Sequence, residues 1–172
     1  MPADALLHPL VLLAIAALIV NDHVGKGLYP GLVTGKLSDV AGLAFFPLVL
    51  VGAVEVARAV VGRWTGPSVL ELRLAIVATA LSFAAVKTVP AAAFAFGWCT
   101  GAAGWAIAVA ASVGGGPAPT MIVGLVRVDP TDLVALPALA LPWLVGRRRL
   151  SAAVVPASGA EPATPHPADQ DR

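Results

Sequence analysis

Long runs of apolar residues alternate with short polar stretches along this chain. Five apolar segments can be marked, at about residues 2–20, 40–61, 69–89, 91–111 and 130–145. A helix rises about 1.5 Å per residue, so segments of this length approach or match a hydrocarbon core of about 30 Å. The pattern predicts an all-α fold: a multi-pass integral membrane helical bundle with helices over these five ranges.

The composition points to the same fold class. Hydrophobic residues make up 58% of the 172 positions, and charged residues make up 12%, whereas about 25% of a typical soluble domain is charged. The charges also gather between the apolar segments instead of being spread along them. A water-soluble fold of this size could not bury so much apolar surface. We therefore expect residues 1–149 to form a single membrane domain.

Local signals mark the ends of the second segment. Ser38 or Asp39 stands where it would cap a helix over residues 40–61, and Gly62 stands where that helix would end. Near its end, Glu55 and Arg58 lie three residues apart on one helical face, which predicts an ion pair.

The later segments carry similar signals. Ser68 and Glu71 have the spacing of a capping box at the start of the third helix, and Pro90 predicts a break after it. Asp129 followed by Pro130 predicts the first turn of the last helix.

The last helix is expected to end near residue 145. Gly146 and the three arginines at 147–149 are typical of a helix end. The remainder, residues 150–172, is rich in Pro and Ala and is expected to be a disordered cytoplasmic tail.

The number of membrane crossings depends on residues 91–111. This segment consists mostly of Ala, Gly, Phe and Trp and contains no Leu, so its insertion is marginal, although Gly97 and Gly101 would permit close packing. We predict four transmembrane helices plus this fifth apolar helix, either re-entrant or interfacial, or else a fifth span. The arginines at 147–149 place the C-terminus in the cytoplasm by the positive-inside rule. Both arrangements put six Lys and Arg inside and four outside, so the rule does not choose between them.

The four-span arrangement brings many polar residues to the outer membrane face. They stand at the ends of neighbouring spans and are Asn21, Asp22, His23, Lys26, Lys36, Ser38, Asp39, Lys87, Asp129 and Asp132. Ionisable groups at such positions cost free energy unless they are paired or hydrated, so their convergence indicates a functional site. A five-span arrangement would move Asp129 and Asp132 to the opposite face.

Two chemistries that fit these residue types are catalytic or metal-dependent. A small membrane enzyme, a hydrolase or transferase, would use the candidate catalytic residues His23, Asp22, Asp39 and Asp132. A divalent metal would draw on Asp22, His23, Asp39 and either Asp129 or Asp132, but no dense ligand motif is present, so neither a metal nor another cofactor is predicted.

Two other readings involve no catalysis. In the first, a lipid headgroup or small anion binds to the candidate residues Lys26, Lys36, Lys87, Asn21 and Asp129. In the second, the acids cap helices, the lysines anchor at the interface, and ion pairs fasten the loops to the bundle.

We expect a non-enzymatic membrane protein, with the small membrane enzyme as the alternative. The lipid bilayer is its expected environment, and a membrane partner subunit or a second copy of the chain is a candidate partner. A net charge of +1 with scattered Lys and Arg argues against nucleic acid. The heavy use of Ala, Val, Gly, Pro and Arg favours a bacterial origin, and hence a bacterial inner (cell) membrane.

Overall fold

The computed structural model describes residues 1–29, 31–112, 115 and 119–154, and these ranges contain helices and no β-strand. Helix α1 is Pro9–Leu28, α2 is Leu32–Val60, α3 is Val69–Thr88 and α4 is Pro90–Ala111. Helix α5 joins a 3-10 segment, Pro130–Leu139, to an α-helical segment, Ala140–Val154. Helices α1 to α4 are each long and apolar enough to cross a membrane. The predicted fold class, an all-α bundle with membrane-spanning helices, is confirmed.

Helix α1 contains a π-helical turn, Asn21–Gly25, near its end. It follows a 3-10 turn, Asp4–Leu7, and the His8 ring caps it by accepting the Leu10 N–H at 3.3 Å. A Cβ atom on Gly25 would stand 2.8 Å from Asn21 Oδ1, so the π turn favours glycine at this position. π turns of this kind often occur at functional positions in helices.

Helix α2 is the centre of the bundle and contacts α1, α3 and α5. At its start, the Thr34 hydroxyl accepts the Gly31 N–H at 3.2 Å. Its 29 residues extend about 43 Å, which is longer than a hydrocarbon core of about 30 Å. Pro47 is buried in the middle and has no N–H, so α2 lacks one intrahelical hydrogen bond there.

Helix α4 packs against α3, and the chain then returns along α4 itself. The Trp105 indole N–H donates to Pro119 O at 2.9 Å, and the Gly124 N–H donates to Gly97 O at 3.3 Å. A Cβ atom on Gly101 would stand 2.5 Å from Ile122 O. The two small residues of the GxxxG pair therefore permit the close approach of an antiparallel return segment. We call residues 90–129 the α4 hairpin.

Helix α5 starts as the Asp129-Pro130 pair predicts. The Asp129 carboxylate accepts the N–H and the hydroxyl of Thr131 at 3.0 and 2.7 Å, and Pro130 is the first residue of the 3-10 segment. A 3-10 helix rises about 2.0 Å per residue, so residues 130–146 cover about 30 Å in all. That length matches a hydrocarbon core, although neither part of α5 alone would do so.

Ion pairs define two ends of the bundle. At the first, Lys87 at the end of α3 pairs with Asp39 of α2 and Asp132 of α5, and we call it the Lys87 end. At the second, Glu55 of α2 pairs with Arg149 of α5, and we call it the Arg149 end. Asp39 and Glu55 lie about 24 Å apart along α2, with no charged residue between them. The α4 hairpin follows Lys87 and precedes Asp132, so both of its ends lie at the Lys87 end.

The apolar core lies between α1, α2, α3 and α5. It includes Val11, Leu48, Val51, Leu72 and Val145. Outside this core, many large apolar side chains stay exposed on the helices, as a surface facing lipid requires.

Two predicted helix starts are wrong. The first helix begins at Pro9 instead of residue 2 and continues to Leu28, and the second begins at Leu32 instead of residue 40. Ser38 and Asp39 therefore do not cap α2 but lie inside it. The polar residues around them suggest a loop in the sequence, whereas contacts with α1, α3 and α5 satisfy them in the fold.

The predicted end of the last helix is also wrong. The helix continues to Val154. Gly146 lies inside it and packs against α3, where a Cβ atom would stand 2.5 Å from Leu72 Cδ2. Residues 150–154 of the predicted tail are thus helical, and the rest of that tail, residues 155–172, lies outside the described residues.

The predicted ion pair between Glu55 and Arg58 is likewise absent from the described residues. Arg58 pairs with Glu71 of α3, and Glu55 pairs with Arg149 of α5. Ser68 caps α3 as predicted, accepting the Glu71 N–H at 3.4 Å, and the predicted break occurs at Val89.

Candidate functional site

The Lys87 end holds a chain of four charged side chains. Lys87 Nζ donates to Asp39 Oδ2 and to Asp132 Oδ2, both at 2.8 Å. Lys36 Nζ donates to Asp132 Oδ1 at 2.8 Å and to Thr131 Oγ1 at 2.9 Å. The order Lys36, Asp132, Lys87, Asp39 links three helices without a break. We call these four residues the Lys87 network.

Three helices place the network where their ends meet. Lys36 and Asp39 lie three residues apart on α2 and so share one face. Lys87 stands in the last turn of α3, and Asp132 stands in the first turn of α5. The Lys87, Asp39 and Asp132 side chains are only 13 to 18% exposed. Two lysines and two aspartates balance, so the network has no net charge.

A second polar group joins α1 to α2 beside this network. The buried Asn21 amide donates to Thr34 O at 2.7 Å and to Ser38 Oγ at 2.8 Å. The Ser38 hydroxyl donates to Asp22 Oδ1 at 2.5 Å, and Lys26 Nζ lies 2.8 Å from the same oxygen. We call Asn21, Asp22, Lys26 and Ser38 the Asn21 group.

His23, by contrast, is not drawn into either cluster. Its side chain is exposed, and its Nδ1 lies 3.0 Å from Ile19 O, one turn earlier in α1. Among the described residues, no hydrogen bond or ion pair joins His23 to Asp22, Asp39 or Asp132. The structure thus brings three of the four candidate catalytic residues into polar clusters and leaves the histidine outside them.

Asp129 also stands apart from the Lys87 network, as the cap of α5. Hydrogen bonds from the Thr131 hydroxyl and N–H lower the pKa of Asp129 below its ordinary value. Within the described ranges, no three His, Cys, Asp or Glu side chains are grouped closely enough to hold a metal ion.

All three candidate lysines are matched by carboxylates. Lys26 pairs with Asp22, Lys36 with Asp132, and Lys87 with Asp39 and Asp132. An incoming anion would therefore have to compete with a carboxylate already in contact with each lysine.

A cavity of about 390 Å³ lies beneath the Lys87 network. Ser38, Asp39 and Lys87 line its polar mouth. The walls are mostly apolar and come from α1, α2, α3 and the α4 hairpin; they include Leu18, Leu43, Phe45, Phe46, Leu50, Phe83, Val86, Phe96 and Val126. Pockets that hold small molecules generally have volumes of about 300 to 1,000 Å³, so this one is large enough for a ligand.

Several contributors to this site could not be identified in the sequence. Thr131 accepts a hydrogen bond from Lys36, and its place two residues after Asp129 is the only local signal for it. Phe83 lies with its ring centroid 5.4 Å from Lys87 Nζ, in cation–π range, one helical turn before Lys87. The phenylalanines of the cavity wall read in the sequence as ordinary span residues.

The opposite end has an ion cluster that the sequence did not suggest. Glu55 is completely buried and accepts from Arg149 Nη1 at 2.6 Å and from the Ala3 N–H at 2.7 Å. Arg149 also pairs with Asp4 and donates to Met1 O at 2.7 Å. These contacts fix the start of the chain to the ends of α2 and α5.

Comparisons of this chain with models of known protein families, with curated proteins and with solved structures find no match.

Proposed function

We propose that this chain is a non-enzymatic integral membrane protein, in which the Lys87 network fastens the α4 hairpin to a bundle of four membrane-crossing helices, α1, α2, α3 and α5. The observation that carries the proposal is the double ion pair of Lys87. Lys87 precedes the hairpin and Asp132 follows it, so their 2.8 Å contact closes the hairpin at its base. Asp39 then ties that base to the central helix.

The return segment supports a position of the α4 hairpin outside the hydrocarbon core. By length and hydropathy α4 qualifies as a span, but the described residues 119–128 that follow it are neither helical nor part of a sheet. The one backbone hydrogen bond from these residues to α4 in the described structure is that of Gly124 to Gly97. In lipid, each unpaired backbone group costs several kcal/mol. An interfacial or water-exposed hairpin avoids that cost.

Charge supports one orientation of this bundle. Arg58, Arg63, Arg73 and the arginines at 147–149 belong to the Arg149 end, which makes that end cytoplasmic by the positive-inside rule. The Lys87 end is then external, and the three lysines there are each paired with carboxylates. A bacterial inner membrane and a cytoplasmic C-terminus are part of this proposal.

The position of His23 favours a binding or structural role over catalysis. A general base must lie within hydrogen-bond reach of its proton donor or of the group that orients it. The His23 ring instead contacts a carbonyl of its own helix. The carboxylates that the enzyme alternative would need are engaged by lysines.

The test compares Asp132→Asn with His23→Ala. Asp132→Asn removes a charge that two lysines share, so we expect less folded protein in the membrane and a lower unfolding midpoint. His23→Ala removes only an exposed ring, and we expect wild-type levels and stability. If the His23 variant loses as much folded protein as the Asp132 variant, or if Asp132→Asn has no effect, the proposal is wrong.

A further inference from the structure

The cavity beneath the Lys87 network has one polar end and one apolar end. Its lining residues on α2 run from Ser38 to Leu50, which is about 18 Å along the helix axis. On α3 they run from Lys87 down to Ala78. Polarity decreases with depth: Lys87 stands at the mouth, Ser82 one turn below it, and the Thr79 hydroxyl deeper still, already satisfied by Ala75 O at 2.7 Å.

The cavity is open at its side. Phe46 of α2, which lines it in the membrane-crossing part of the bundle, is 45% exposed. In the proposed orientation, on which this inference rests, the long axis of the cavity is parallel to the lipid chains of one leaflet. A chain can therefore enter sideways from the bilayer while its headgroup stays at the level of Lys87.

We propose that this cavity binds a single-chain amphiphile with an uncharged, hydrogen-bonding headgroup, such as a long-chain alcohol or a monoacyl ester. The headgroup lies at Lys87 and Asp39, and the chain extends along α2 toward Leu50. An uncharged headgroup fits because the network is already neutral, so an added anion would leave one negative charge without a partner. An ammonium, with three donors, still has one N–H beyond the two that Lys87 gives to aspartates.

Gly42 offers a sharp test of occupancy. It lines the cavity, and a Cβ atom placed on it meets nothing within 4 Å. The added Cβ atom of Gly42→Leu therefore has open space, the rest of the leucine side chain takes up volume in the cavity, and the change replaces a weak helix former with a strong one. Gly104→Leu is the matched control, because Gly104 is also helical with open space around it and does not line the cavity.

The experiment uses the full chain in lipid nanodiscs with a photoreactive probe, hexadecanol that carries a diazirine near the end of its chain. We expect saturable labelling of α2 between Leu43 and Leu50, competed by unlabelled hexadecanol. Gly42→Leu should lower this labelling about tenfold or more, since losing two buried methylenes already weakens binding by about that factor. Gly104→Leu should label like the wild type.

A second probe of the same chain length with a carboxylate headgroup tests the headgroup class, and we expect it to label several-fold more weakly. Equal labelling of the Gly42→Leu protein and the wild type overturns the site. The wild-type protein alone also tests the site: if unlabelled hexadecanol does not reduce the labelling, the site is overturned. Stronger labelling by the carboxylate probe overturns the uncharged headgroup. These labelling experiments use variants that leave the four residues of the Lys87 network unchanged, so the Asp132→Asn comparison tests the proposed function separately.

Discussion

Replacing Lys87 with methionine removes the cation that pairs with both Asp39 and Asp132 in the wild-type protein. Methionine retains most of the apolar stem, so the packing against Phe83 changes little. Asp39 is left without a partner in the Lys87 network, whereas Asp132 keeps Lys36. The perturbation therefore isolates the charge at the base of the α4 hairpin.

The size of the effect follows from burial. Removing one partner of a fully buried ion pair costs about 3–5 kcal/mol, because the other charge is left uncompensated. The Lys87, Asp39 and Asp132 side chains are still 13 to 18% exposed. We therefore expect a smaller loss, of about 2–3 kcal/mol, in the free energy of unfolding. Adding Asp39→Asn removes the stranded charge and should restore about half of that loss.

The matched control is Lys26→Met. The Lys26 and Asp22 side chains are 44% and 39% exposed, and exposed pairs contribute at most about 0.5–1 kcal/mol. Unfolding by SDS in mixed micelles, followed by tryptophan fluorescence, measures both variants. Equal losses in the Lys87 and Lys26 variants, or no recovery in the double variant, would refute the reasoning.

Four further variants probe other parts of the fold. Arg149→Met leaves the buried Glu55 carboxylate without its cation and should lower the free energy of unfolding by about 3 kcal/mol or more in the same assay. Arg148→Met changes an exposed neighbour and should lower it little, so equal losses would contradict the Glu55 contact. Gly25→Ala places a Cβ atom against Asn21 and should destabilise the protein by about 1 kcal/mol. Gly27→Ala, with open space around it, should be neutral or slightly stabilising; a larger loss of stability in Gly27→Ala than in Gly25→Ala would exclude the π turn. Gly97→Ala places a Cβ atom against Gly124 O and should speed tryptic cleavage at Arg127 in the return segment, whereas Gly104→Ala should not; unchanged cleavage in both would mean that the segment does not lie on α4. Hydrogen bonds from Thr131 lower the pKa of Asp129 in the folded protein, so the cap stabilises above the ordinary Asp pKa of about 3.9 and is lost as the pH falls through the lower, folded-state pKa. Asp129→Asn should make the acid side of the stability profile less steep, and an unchanged slope would show that Asp129 does not contribute to it.

The fold class and several helix ends could be predicted because they depend on local chemistry. Hydropathy alone predicts the all-α membrane fold, Ser68 caps α3 through a contact three residues away, and Asp129 caps α5 through Thr131. The break at Pro90 follows from the constraint that proline places on Val89. The two caps and the break each depend on residues less than one helical turn apart.

The errors have a common physical origin in long-range pairing. The sequence pattern predicts too late a start for α2, because Lys36, Ser38 and Asp39 look like loop residues until partners from three other helices are known. The pattern also predicts that Glu55 pairs with Arg58, its neighbour on the helix, whereas its partner Arg149 is 94 residues away. Gly146 predicts a helix end in the sequence, whereas in the fold it lies inside α5 and packs against Leu72.

The candidate site was predictable in its residues and not in its shape. Counting charges at span ends gathers Lys36, Asp39, Lys87 and Asp132, provided that the α4 hairpin returns to the end where it began. The cavity below them depends on how Phe46, Phe83 and Phe96 from three helices are arranged, and no spacing in the sequence encodes that arrangement.

The central claim is that four helices cross the membrane and that the α4 hairpin leaves and returns at the external face. Single cysteines at Lys26, Arg63 and Leu125, in a Cys99→Ala background, test it by labelling intact cells with a membrane-impermeant maleimide. Leu125 is fully exposed in the return segment, so a cysteine there can react if it faces outward. We predict labelling at Lys26 and Leu125 and none at Arg63. Labelling at Arg63 and Leu125 without Lys26 would contradict the claim, because it requires α4 to cross the membrane.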